Sequence, residues 1–271
     1  MPVPSATNLS TFSKTANASS YTFSTTLPAA NALALAWLEH HGSALQSITS
    51  IVGGGAQNGW TSIISVTFNP VATPLDRVEV WRSLSATPTS ASVVTVTLSG
   101  TVSDLQGGIT QFSNVSTTGT NGANAVAQSV SSRADTVSVL TCTLAAFGNA
   151  NNVPYGSFSW ATINQNRINP GASFVELGEA NSGEFSGVNS QWTSANTQKV
   201  PATLTAGTRN AAGVALEIVG DIDASAEDVL IRVGNISTTE HSGMITSAFS
   251  SLTLSVGGGI YRRRRLAVFE D

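Results

Sequence analysis

The segment Val93-Val94-Thr95-Val96-Thr97-Leu98 alternates apolar and hydroxyl side chains with a period of two, and runs of this kind recur along most of the chain. Such a period places one set of side chains on each face of an extended strand. Further runs fall at 20–26, 32–39, 47–52, 61–68, 77–83, 108–112, 125–130, 137–144, 173–178, 190–199 and 213–219. Turn-forming clusters separate them, among them Gly53-Gly54-Gly55-Ala56-Gln57-Asn58-Gly59 and Thr118-Gly119-Thr120-Asn121-Gly122. Many short strands with turn chemistry between them, and no competing helical period, predict an all-β fold. The expected form is a β-sandwich of jelly-roll or immunoglobulin-like type.

The expected organisation is one sandwich over 1–220, whose first 18 or so residues form an extended arm, followed by a C-terminal extension over 221–271. That extension opens on an acidic connector, Asp221-Ile222-Asp223-Ala224-Ser225-Ala226-Glu227-Asp228. Runs at 229–233, 246–256 and 260–269 then predict short strands, the last containing Arg262, Arg263, Arg264 and Arg265.

Only 10% of the 271 residues are charged, against roughly 25% in an ordinary domain. Serine and threonine make up about a quarter of the chain in their place. A hydroxyl-solvated surface over a strand-rich core suits a protein packed against neighbours. The net charge of -4 offers no electrostatic case for nucleic acid. The N-terminus shows no basic and apolar leader, and no run of apolar residues is long enough to span a bilayer. A cytoplasmic origin without export is therefore expected. Cys142, the single cysteine, lies in an apolar alternation and reads as a small core residue.

No arrangement in the sequence makes a convincing case for chemistry. Glu39 and His41 share a face of one expected strand, and Glu240-His241 would be needed to complete a metal site, so a strand end running into a turn is the better reading. Asp221-x-Asp223-x-Ser225 opens like a calcium loop, but Ala226 stands where glycine is needed and Arg232 where a bidentate glutamate is needed. Glu176, Glu179 and Glu184 cluster between strands without the aromatic groove that a glycan-cleaving pair uses. There is no Gly-x-Ser-x-Gly elbow, and the glycine-rich stretches lack a following lysine and helix. No catalytic residue, metal ligand or cofactor is expected, and the protein reads as a non-enzyme. The arginine run could protect an edge strand by charge. It could also pair with Asp221, Asp223, Glu227 and Asp228 of the same or another copy, which makes these residues the candidate assembly contacts. Contact with DNA is the third reading, disfavoured because only this short run is basic and the protein is net acidic.

An ordered set of phrases carries a family resemblance: Tyr21-Thr22-Phe23, Ala32-Leu33-Ala34-Leu35-Ala36-Trp37, Val78-Glu79-Val80-Trp81, Val93-Val94-Thr95-Val96-Thr97-Leu98, Phe112-Ser113-Asn114-Val115 and Gly213-Val214-Ala215-Leu216-Glu217-Ile218. Residues 19–219 resemble a family of β-sandwich domains of about 200 residues found in bacteriophage virion proteins and bacterial surface repeats. A single copy without a leader favours the virion side of that family. The resemblance implies a structural component of a tailed-phage virion, foremost a capsid decoration or cement protein. Its implied partners are itself, as a homotrimer, and the major capsid protein, without membrane or nucleic acid. The alternative is a tail fibre or spike module that binds host glycan through Trp60, Trp160 and Trp192, which compete with a core reading for the same tryptophans.

Overall fold

The computed structural model describes residues 3–221 except 57–58, 69–74, 162–166 and 183–185, and farther on the backbone of 253–256 and 259–262. The first half contains β1 Ser5–Lys14, β2 Ala18–Thr26, β3 Leu33–Gly42, β4 Ile48–Gly53, β5 Thr61–Phe68, β6 Leu75–Leu84, β7 Ser92–Val102 and β8 Asp104–Ser113. A short 3-10 turn, Thr120–Ala125, leads into the second half. There follow β9 Val126–Val137, β10 Val139–Thr143, β11 Val153–Ala161, β12 Ile168–Pro170, β13 Val175–Asn181, β14 Ser186–Trp192, β15 Lys199–Leu204 and β16 Arg209–Ile218. The fold is all-β, and the sheets are antiparallel sandwiches, as the alternation implies.

Strands β1 to β8 form a five-stranded sheet, β1-β8-β3-β6-β5, and a three-stranded sheet, β2-β7-β4. Strands β9 to β16 form β9-β16-β11-β14-β13 and β10-β15-β12. Adding eight to every strand number of the first set reproduces the second. Each set wraps as an eight-stranded jelly roll does, with its fifth strand joined to the sheet of its sixth. The stretch expected to hold one sandwich therefore holds two with the same topology.

The two large sheets pack face to face about a local two-fold. Strand β1 lies against β13 and β9 against β5; β8 lies against β13 and β16 against β5; β3 lies against β14 and β11 against β6. Exchanging the halves turns each contact into its counterpart, the pattern of an isologous interface. The exits of β8 and β16 also meet: Val115 bridges Gly220, Ser116 N donates to Val219 O at 3.0 Å and Asp221 N to Asn114 O at 2.9 Å.

Four layers give three cores. Tyr21, Ala36, Leu38, Val96 and Ile109 fill the first sandwich, and Cys142, Phe158, Trp160 and Val200 fill the second. Between the large sheets, Leu35, Trp37, Val80 and Phe112 meet Tyr155, Val188, Val214 and Leu216. Burying each large side chain stabilises by about 1.5–3 kcal/mol, so this seam holds the halves as one compact unit. Trp37 fits because Gly108 and Gly178 leave room: a Cβ on either would stand 2.4 Å or 3.1 Å from the indole Cζ2. A polar thread crosses the same seam. Trp37 Nε1 donates to Thr110 Oγ1 at 3.0 Å, Thr110 Oγ1 lies 3.4 Å from Ser190 Oγ, and Ser190 Oγ donates to Tyr155 Oη at 3.1 Å.

Three strand expectations change. Ser5–Lys14, expected within an extended arm, is an edge strand paired with β8. The run expected at 190–199 divides between β14 and β15, which belong to different sheets. Strand β11, Val-Pro-Tyr-Gly-Ser-Phe-Ser-Trp-Ala, has little apolar alternation, yet it is buried along its whole length at the centre of its sheet. Beyond Glu227 the chain forms a separate unit in which β17 Thr253–Val256 pairs with β18 Gly259–Arg262. The strand expected at 229–233 lies outside the described residues.

Candidate functional site

The register of the first large sheet gathers most of that half's ionisable groups at one end. His41 on β3 stands opposite Asp104 on β8 and Asp76 on β6. In the next row on the same face, Glu39 stands opposite Gln106. This face looks into the seam. His41 Nδ1 and Asp76 Oδ1 share a hydrogen bond, and Gln106 Nε2 donates to Glu39 Oε2 at 2.6 Å. Ser182, just beyond the end of β13, lies near enough to the Asp104 carboxyl to oppose the rise of its pKa. Asp76, Asp104, Glu39 and Gln106 are fully buried and His41 is 5% exposed. Burial pushes the Asp104 carboxyl up to about 6, and the neighbouring Asp76 adds to this, against the opposing effects of Ser182 and His41.

The other face of the same strands carries a second group. Glu79 receives the Ile48 amide at 2.9 Å on Oε1 and the Trp81 indole N–H at 3.2 Å on Oε2. His40 Nε2 lies 3.4 Å and Arg77 Nε 3.1 Å from Glu79 Oε1. Burial pushes the Glu79 carboxyl up, but the hydrogen bonds from His40 and Ile48 and the His40 and Arg77 charges together hold it below the usual carboxylate range. Glu79 thus ties the large sheet to β4 of the small one.

Aligning the halves on their shared pairing places Ser159, Trp160 and Ala161 where the first half has Glu39, His40 and His41. The same alignment puts Ser186, Gly187 and Asn189 at the positions of Asp76, Arg77 and Glu79. The second half builds the same topology without these charges. An imidazole between two carboxylates can relay a proton, but this one is enclosed, and among the described residues no set of three or more His, Cys, Asp or Glu side chains is arranged to hold a metal ion.

The tryptophans are placed with the core. Trp160 is fully buried and donates from Nε1 to Val137 O at 3.0 Å; Trp60 is 9% exposed and donates to Gly53 O at 3.1 Å. Trp192 is half-buried, with its ring edge-on to Phe112. Trp60 and Trp160 therefore present no ring face to a sugar. Glu176 and Glu179 are bridged by Arg167, at 3.3 and 2.9 Å, and Glu179 also accepts the Ile168 amide at 2.8 Å. Burial, then the Glu179 charge, raises the Glu176 carboxyl. Glu184 lies outside the described residues. Cys142 is buried, and its burial pushes the thiol up to about 12.

Of the candidate assembly contacts, Asp221 is held by its amide to Asn114 O, and Arg262 ends β18 opposite Thr253. Asp223, Glu227, Asp228, Arg263, Arg264 and Arg265 lie outside the described residues. Sequence reasoning placed Glu39 and His41 on one face but missed Asp76, Glu79 and Asp104. The available signal was the period-two pattern of Asp76-Arg77-Val78-Glu79-Val80-Trp81, which puts Asp76 on the face of Val78 and Val80. No protein-family model matches this chain, and searches of curated proteins and of solved structures return no match either.

Proposed function

We propose that this protein is a non-enzymatic assembly component that works by packing its surface against neighbouring proteins, as a decoration or cement protein on a phage capsid does. The observation that carries the reading is where the charge lies. Up to residue 117 the only Asp, Glu, Lys and Arg residues are Lys14, Glu39, Asp76, Arg77, Glu79, Arg82 and Asp104. Lys14 alone is fully exposed; the carboxylates are buried and the two arginines half-buried. The outer skin of the first sandwich is thus hydroxyl, amide and methyl. Such a skin costs little to desolvate, and interface cores are depleted of charge in the same way. The enclosed His41 group and the tied Glu176–Arg167–Glu179 group favour structural roles for the charges that remain.

The phage attribution rests on the sequence resemblance, and the packing role on the charge distribution. The glycan-binding alternative loses support from the burial of Trp60 and Trp160. Gold-labelled antibody on purified virions tests the proposal. Dense label over the head is the expected result, a few grains confined to the tail would favour a fibre, and unlabelled particles would overturn the virion assignment.

A further inference from the structure

We infer that the outer face of the β2-β7-β4 sheet is a self-association surface whose occupant is the same face of a second copy of this chain. The inference rests on the packing role proposed above and supplies its surface and partner. Strand alternation turns Tyr21, Phe23, Val94 and Val96 into the core. Outward stand two cross-strand rows, Thr22–Thr95–Val52 and Ser20–Thr97–Ser50. The Thr22 and Thr95 hydroxyls lie 3.4 Å apart. Val52 and Val93 are 57% and 50% exposed on this face, but Val139 and Val175 are as exposed elsewhere, so the face is set apart by its lack of charge rather than by its valines. No Asp, Glu, Lys, Arg or His occurs in 15–38, 42–75 or 83–103, which contain all three strands and the loops that flank them.

This chemistry selects the partner. Nucleic acid and anionic lipid require cations, and this face has none. A glycan platform requires exposed rings, whereas Tyr21, Phe23, Trp60 and Trp81 are all in the core. A charged protein surface would have to bury its ions against groups that cannot neutralise them. Hydroxyls both donate and accept, so a serine–threonine face is complementary to itself. Across a two-fold axis it brings no like charges together, and the valines add apolar contact. The corresponding β10-β15-β12 sheet carries exposed Lys199 on its middle strand, so the neutral face belongs to the first sandwich alone. A closed pair therefore fits better than a filament, and it stands in place of the homotrimer that the resemblance implies.

The size of the face sets the strength. Three strands of about six residues, at about 4.8 Å between strands and about 3.3 Å per residue, cover roughly 15 by 20 Å, or about 300 Å² per copy. Two copies bury about 600 Å² through strands alone, so the flanking loops must contribute to approach the roughly 1,200 Å² of specific interfaces. An interface this small belongs with weak, transient encounters, for which dissociation constants of tens to hundreds of micromolar are expected.

Sedimentation equilibrium of the purified full chain from about 10 μM to about 1 mM spans that range. Thr95→Glu and Thr95→Lys change an outward residue, and Val139→Lys, on the outer face of β10, serves as control. Wild type should pass from monomer to dimer. Thr95→Glu should raise the dissociation constant at least about a hundredfold, because two added like charges meet at the axis. Mixing Thr95→Glu with Thr95→Lys should restore a dimer, and Val139→Lys should behave as wild type. A wild type monomeric throughout, or a Thr95→Glu variant that dimerises normally, overturns the inference. A monomer that still decorates virions defeats this face alone; a dimer absent from virions leaves the face standing and defeats the virion role.

Discussion

Replacing Asp104 with asparagine should stabilise the protein at pH 8 and have little effect at pH 4. Asp104 is fully buried at the end of the seam, and its carboxyl is raised from 3.8 to about 6. A carboxyl raised on folding costs stability wherever the unfolded chain carries it ionised. The cost is small below the unfolded value of 3.8, grows between 3.8 and about 6, and is complete above that. A shift of about two pH units at about 1.4 kcal/mol each gives roughly 3 kcal/mol at pH 8. At pH 4 less than about 1 kcal/mol remains. For a unit of this size, 3 kcal/mol corresponds to about 6–12 °C in Tm. Calorimetry of wild type and Asp104→Asn at pH 4, 6 and 8 reads the difference, and contributions common to both proteins cancel. Equal Tm differences at all three pH values, or a variant destabilised at pH 8, would refute the reasoning.

Glu79→Gln should act in the opposite sense. The Glu79 carboxylate is held low by its partners, so its stabilisation is present above the unfolded value of 4.5 and is lost as pH falls through the folded one. Removing the charge should cost about 3 kcal/mol at pH 7, and the deficit should shrink in acid, as urea titrations at pH 7 and pH 3.5 would show. Gly108→Ala should destabilise by about 1–3 kcal/mol or prevent folding, since the added methyl would meet Ser10 O at 2.3 Å and Trp37 Cζ2 at 2.4 Å. A Gly108→Ala protein with wild-type Tm would show that the seam is looser than described.

The strands of the first small sheet were legible because they have one wet face, whereas β3, buried on both faces, showed instead as an unbroken apolar run. β7 and β2 alternate cleanly, and the 61–68 expectation coincides with β5. β11 was not legible, because a strand buried on both faces has no alternation to show, and its glycine, serines and proline resemble a loop. The duplication was hidden for a related reason. The halves share topology and register, but positions such as Trp37 and Ser157 solve the same packing problem with different volumes. The site shows the same limit: Glu39 and His41 could be placed on one face from sequence, whereas Asp76 and Asp104 join them only through pairing of β3 with β6 and β8.

The two-fold seam also bears on how the chain is made. Synthesis delivers the first sandwich before the second, so the first emerges with Leu33, Leu35, Trp37, Val80 and Phe112 uncovered. Its rightful partner shares its topology, so a neighbouring nascent chain presents a surface of similar build at the same moment. Correct pairing depends on the short tether through Thr120–Ala125, which keeps the second sandwich at high local concentration beside the first. Slow translation between the halves would lengthen the interval in which the wrong first half can dock.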